Sequence, residues 1–287
     1  MDLIEKKIRN IVKRVINEER GVNQEVYDTA NKIFSIIRDD VNDKMEKNEH
    51  RQTFGGDAFC IRGEFSIKLA GEEVLVTYNS YVFQDQETYK KYIRQYRTML
   101  MCATSAYSKG KCQIYVVYNY TNEHGFDESI YDRVQHELEH LYQQIQSGKP
   151  FSSSDLKGRV NKGLKMRVQD PNIFKASFIL YCSRPYEQDA SANGLYSWLQ
   201  NGTTDKNEIV KSSAIVKNRR ICLKYIDELE NLQPNSEETQ NIAMFFGISL
   251  ASIIKKGYNS CERMKNKANR TIFKYIQDTQ NQVQFVQ

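Results

Sequence analysis

Residues 127–145 read DESIYDRVQHELEHLYQQI, and within them His136-Glu137-Leu138-Glu139-His140 sets two histidines four positions apart. On a helix that spacing puts both imidazoles on one face, where they can grip a single ion. Glu137 follows the first histidine and sits beside the same ion, placed to take a proton from metal-bound water. Asp127 and Glu128 head the stretch, which suits the positive end of a helix dipole. The chain has only four histidines, and two of them fall in this pattern. A lone histidine on a helix is usually structural, whereas a pair at this spacing with a glutamate between is a metal-site signal.

Working outward, residues 111–120 are rich in Ile, Val and Tyr and read as a strand that enters the histidine helix through a turn at 122–125. Residues 58–69 and 73–83 read as two further strands joined across Ala70-Gly71-Glu72. Between them and the third strand, helical signal covers 87–106. The first 47 or so residues are helical in pattern, broken at Gly21-Val22-Asn23, with Asn23 as N-cap. The second of these helices carries Val26, Ala30, Ile33, Phe34, Ile37 and Val41 at helical spacing. Such stripes are usually core, and they also offer a surface for self-association or assembly.

Downstream, 147–175 turns polar, basic and glycine-containing, and reads as a loop or loosely structured insertion. Residues 178–198 are helical with an interruption at Pro185, followed by helical stretches at 209–232, 237–256 and 262–278. Pro234-Asn235-Ser236 gives a helix start, with Glu238 placed for a capping box from Asn235. The expected fold is α+β: a helical region over 1–54, a core of small mixed sheet plus metal-binding helix over 55–200, and a helical region over 201–287.

Composition sets bounds. The chain is 40% hydrophobic and 27% charged with a net charge of +5, ordinary for a soluble protein and short of a nucleic-acid signature. Lys157, Arg159, Lys162, Lys165 and Arg167 are the one basic run, more often a solvated loop than a nucleic-acid site. Nothing at Met1-Asp2-Leu3-Ile4-Glu5 resembles a signal-peptide core, and the longest nearly apolar run, 243–254, is too short for a membrane helix of about 20 residues. A cytoplasmic protein without membrane partners is the expectation. Cys60, Cys102, Cys112, Cys182, Cys222 and Cys261 show no C-x-x-C spacing and are expected reduced and largely buried.

Two histidines do not complete a catalytic zinc site, which usually has three protein ligands. The best source of the third is Tyr186-Glu187-Gln188-Asp189-Ala190-Ser191-Ala192-Asn193-Gly194, where Glu187, Ala190 and Gly194 share a helix face. Small residues beside Glu187 let its helix approach the first closely. Asp189, two residues on, turns off that face and is the second candidate, or a carboxylate orienting a histidine N–H. H-E-x-x-H followed by E-x-x-A resembles the gluzincin group of zincin-like metallopeptidases, in particular the ImmA-like peptidases of phages and mobile elements. The resemblance rests on His136, Glu137, His140, Glu187 and Ala190, and covers about 111–199. Two departures stand out: Glu139 occupies a position where that group often has glycine, and Glu187 lies 47 residues after His140, further than in compact members.

The resemblance implies one Zn²⁺ per chain held by His136, His140 and Glu187, and hydrolysis of a peptide bond in a protein or peptide substrate. Glu137 would serve as general base towards zinc-bound water and pass the proton to the leaving amine. The strand at 111–120 could pair with an extended substrate. Among 18 tyrosines none is singled out to stabilise an oxyanion, and His124 is a weak candidate in the turn before the helix. The alternative is a zincin-fold structural or regulatory protein, for example virion-associated, with little or no catalysis.

Overall fold

The structure is a computed structural model that describes residues 23–47, 52–53, 58–83, 85–92, 103–108, 111–121, 125–147, 155–280 and 282–286. It is α+β, with helices packed around one mixed sheet. Strands β2 (Ala58–Leu69) and β3 (Glu72–Phe83) form the antiparallel hairpin expected from their alternation. Their register closes at Leu69↔Glu72 over Ala70 and Gly71, both at positive φ (52° and 82°). Two positive-φ residues are what a tight hairpin turn with strand-matching twist requires, and Gly71 adopts that conformation without a Cβ penalty.

Strand β5 (Lys111–Thr121) runs parallel to β3, pairing Val74 with Cys112 through to Phe83 with Thr121. On its other side lies β4 (Ala103–Ser108), antiparallel. With the two-residue strands β1 (Gln52–Thr53) and β6 (Gly125–Phe126), the order is β1-β2-β3-β5-β4, and β6 joins β5. Two expectations are corrected here. Residues 86–92 are helical, but 103–108 form a strand, because pairing with β5 supplies hydrogen bonds that outweigh a weak local helical pattern. And β5 is interior over most of its length, so among the described residues β4, not the 111–120 strand, ends the sheet on that side.

Helix α1 (Gln24–Glu46) starts at Asn23, whose side chain accepts from the Val26 N–H at 3.5 Å. Its stripe of Val26, Ala30, Ile33, Ile37 and Val41 is buried against the sheet and against helix α2 (Ile130–Ser147). Those residues share a core with Ile61, Val74, Val76 and Ile114 of the sheet and Val134, Leu138 and Leu141 of α2. Each such fully buried aliphatic side chain contributes about 1.5–3 kcal/mol. The core-packing reading of this helix holds. The helix expected before Gly21 and the turn residue His124 lie outside the described residues.

Over its described residues, the insertion at 147–175 is more ordered than its composition suggests. It holds helix α3 (Asp155–Gly163), and helix α4 (Pro171–Cys182) begins well before the expected 178. The start was legible in Asp170-Pro171: Asp170 accepts from the N–H groups of Asn172 (3.1 Å) and Ile173 (2.9 Å), and Pro171 occupies the first turn. Helix α5 (Pro185–Asn201) follows, then α6 (Lys206–Ser212), α7 (Ala214–Glu230), α8 (Glu237–Phe246) and α9 (Leu250–Thr279). Ser236, not Asn235, caps α8, accepting from the Thr239 N–H at 3.3 Å. The last break falls at Gly247 rather than near 257–261, where α9 stays continuous because Ile253, Ser260, Cys261 and Met264 are buried along its packed face.

The main hydrophobic core extends from Val26 to Val283 and includes the C-terminal helices, and a smaller cluster gathers Cys60, Tyr81, Phe83 and Val117. Cys60, Cys112, Cys182, Cys222 and Cys261 are buried free thiols, and Cys102 lies outside the described residues. Among the described residues no helix is long and apolar enough to cross a membrane.

Candidate metal centre

Helix α2 buries Ile130, Val134, Leu138 and Leu141 and turns His136 and His140 toward α5. The two Nε2 atoms lie 3.0 Å apart. Glu187, in the first turn of α5, brings Oε2 to 3.1 Å from His140 Nε2 and 3.5 Å from His136 Nε2. The three side chains keep only 15%, 11% and 11% of their surface exposed. Ligand atoms about 2.0–2.1 Å from a tetrahedral ion stand about 3.3 Å from one another, so this triangle has the size such an ion needs. Among the described residues this is the one cluster of histidine, cysteine and carboxylate atoms that can hold a metal ion.

Close helix packing creates the site. Gly194 lies two turns beyond Glu187 on α5, and a Cβ there would collide with the Asp132 side chain and carbonyl on α2. The small residues after Glu187 thus allow the approach that their composition suggested. Gln188 fixes α5 from its other side, donating through Nε2 to the Cys182 carbonyl (2.7 Å) and to Ser260 Oγ (2.8 Å) on α9. Asp132 is itself buried, and its Oδ2 accepts from the Ala214 N–H at 2.7 Å, anchoring the start of α7. Burial raises the Asp132 pKa above the usual carboxylate value, against that hydrogen bond and the neighbouring His136 charge.

The electrostatics follow from this enclosure. Burial alone would raise the Glu187 pKa, but contacts from His136, His140 and the Tyr181 hydroxyl hold the carboxyl well below its ordinary range. Its place at a helix N-terminus favours the same charge. Burial pushes His136 down, and the Glu187 contact with the charges of Glu137, Glu187 and Asp132 more than reverses this, so its pKa is raised. Glu137 follows His136 directly on α2, and its charge is among those that raise the histidine.

Two supporting residues were not found from sequence. Tyr181, at the end of α4, donates its hydroxyl to Glu187 Oε2 at 2.6 Å, and burial beside that carboxylate raises its pKa strongly. Ser191 Oγ lies 3.3 Å from His136 Nδ1 and occupies the orienting role considered for Asp189. Asp189 instead faces α9 and pairs with Lys267, and it is Glu187 that lies with the two histidines. The only prior signal for Ser191 was its position one turn beyond Glu187. Glu139 turns away from the cluster, accepting from Gln143 Nε2 at 3.1 Å, and burial raises its pKa.

Three residues of the basic run contact neighbouring elements. Lys157 lies over the Tyr186 ring (5.7 Å), Arg159 donates to the Phe245 carbonyl (3.3 Å), and Arg167 lies over Phe174 (5.7 Å). No protein-family model, no curated protein and no solved structure matches the chain.

Proposed function

We propose that the chain is a zinc-dependent metallopeptidase with a zincin-like core of the gluzincin type. The observation that carries this is the convergence of His136, His140 and Glu187 on one point, with Glu137 beside it on the same helix. Two imidazole nitrogens and one carboxylate oxygen are a donor set that catalytic zinc uses, leaving a position open for chemistry. His136 and His140 would hold the ion through Nε2 and Glu187 through Oε2. Bound there, zinc supplies Lewis acidity, lowering the pKa of water toward about 7 and polarising a peptide carbonyl.

The rest is the chain's own work. Glu137 takes the proton from the attacking water and delivers it to the leaving amine. Tyr181 and Ser191 hold Glu187 and His136 in place, so that neither ligand must reorganise. Among the described residues strand β4 lies beside α2 at the end of the sheet, a position that suits main-chain pairing with an extended substrate.

The test is metal content and peptide-library cleavage for the wild type, Glu137→Gln and His136→Ala/His140→Ala. The expected result is about one zinc per chain in the first two proteins, none in the third, and cleavage by the wild type alone. Zinc bound without cleavage of any library member would favour a structural or regulatory use of the same core. No zinc in any of the three would remove the reading.

A further inference from the structure

A cavity of about 530 Å³ opens beside the metal cluster, lined by Leu156, Val160, Leu180 and Pro185 together with four cations, Lys157, Arg184, Lys256 and Arg263. The cations come from α3, from the junction between α4 and α5, and from two turns of α9. No carboxylate is among the described residues of its wall. Tyr186 is the partition: it lines the cavity, and its ring meets the His140 ring edge-on at a centroid separation of 5.7 Å.

The two guanidinium groups are positioned by neutral groups. Arg184 donates through Nη2 to Asn161 Oδ1 (3.3 Å) and lies over the Tyr181 ring at 5.5 Å. Arg263 donates through Nη2 to the Ser183 carbonyl at 3.5 Å. Lys157 lies over the Tyr186 ring, and its pKa is lowered by burial and then by the Arg184 charge, with the Glu187 charge acting against both. Among the described residues, Arg184, Lys256 and Arg263 form no ion pair, although paired surface cations are found elsewhere on the chain, as at Lys175–Glu228. Four like charges around one cavity repel each other, and an anion among them removes that cost.

We propose that this cavity is a subsite for a peptide carboxylate, which makes acidic peptides the preferred ligands of the adjoining metal centre. The proposal rests on the peptidase reading for the role of the ligand. The apolar floor suits the methylenes of an acidic residue, and guanidinium groups match a carboxylate in geometry as well as charge. The cations gather around one open-mouthed cavity instead of following a long surface stripe, which suits a single acidic group more than a polyanion such as a nucleic acid.

The test uses the full chain with zinc added and with Glu137→Gln, so that bound peptide is not consumed. Fluorescence anisotropy would measure binding of short labelled peptides that differ only in Glu or Gln at one position, each with a free or an amidated C-terminus. The expected result is at least about tenfold tighter binding of the carboxylate-bearing peptide, the size of one charge-assisted hydrogen bond. Arg184→Gln/Arg263→Gln should abolish that preference, and the single variant Lys256→Gln should reduce it, while zinc content and melting temperature hold. A preference that follows the Glu side chain assigns the cavity to a side chain, and one that follows the free C-terminus assigns it to the terminal carboxylate. Equal affinity for all peptides, a preference unchanged in the arginine variant, or binding of inorganic phosphate without peptide overturns the proposal. Because binding is read without turnover, absence of hydrolysis in the wild type defeats the peptidase reading and leaves this result standing or falling separately.

Discussion

Zinc should stabilise the protein, and the stabilisation should shrink as pH falls. An ion that binds only the folded chain adds about 2.7 kcal/mol at a hundredfold excess over its Kd. For a chain of 287 residues, about 2 °C per kcal/mol is a reasonable conversion, so the melting temperature should rise by about 5 °C. The pH term comes from His136, whose pKa in the metal-free fold is raised by Glu187, Glu137 and Asp132 against the effect of burial. Such a group contributes stability that is fully present below the unfolded value of about 6.5 and is lost as pH rises through the folded value. The ion takes only the neutral ring, so below the folded pKa each unit of falling pH lowers metal affinity about tenfold, or about 1.4 kcal/mol. The zinc-induced shift should therefore lose about 3 °C per pH unit on the acid side. Glu187 adds no opposing slope there, since its contacts keep it ionised far below that range. Differential scanning calorimetry of chelator-stripped protein, with and without zinc, between about pH 6 and pH 8, reads both quantities. An equal shift in His136→Ala/His140→Ala, or a shift that grows as pH falls, would refute this reasoning.

Three further outcomes are expected. Tyr181→Phe removes the hydroxyl held at 2.6 Å from Glu187 and should weaken zinc affinity about 10–100-fold by competition titration while the far-ultraviolet circular dichroism stays the same. Gly194→Val drives a side chain into Asp132 across the α2–α5 contact and should cost about 1–3 kcal/mol in urea unfolding, with zinc binding weakened alongside; unchanged stability would mean that the two helices are not so close. Asp189→Asn breaks the pair with Lys267 and should leave zinc stoichiometry unaltered, whereas Glu187→Gln should lower affinity by at least about tenfold; the reverse ranking would make Asp189 the ligand.

The hairpin of β2 and β3, the cap at Asn23 and the buried stripe of α1 were all legible in the chain, because each depends on neighbours within a few positions. Strand β4 was not, since its six residues become a strand by pairing with β5 and carry little preference of their own. The same division runs through the candidate metal centre. His136 and His140 share one helix, so the 3.6-residue period alone places their rings together. Glu187 could be proposed beside Asp189, but the choice depends on how α5 lies against α2 and α9, which turns one carboxylate to the histidines and the other to Lys267. Tyr181, Ser191 and the four cations of the cavity come from elements whose separation in sequence sets no distance between them. Local geometry is written in spacing, whereas contacts between elements exist only once close packing, here the bare Gly194 against Asp132, has brought the helices together.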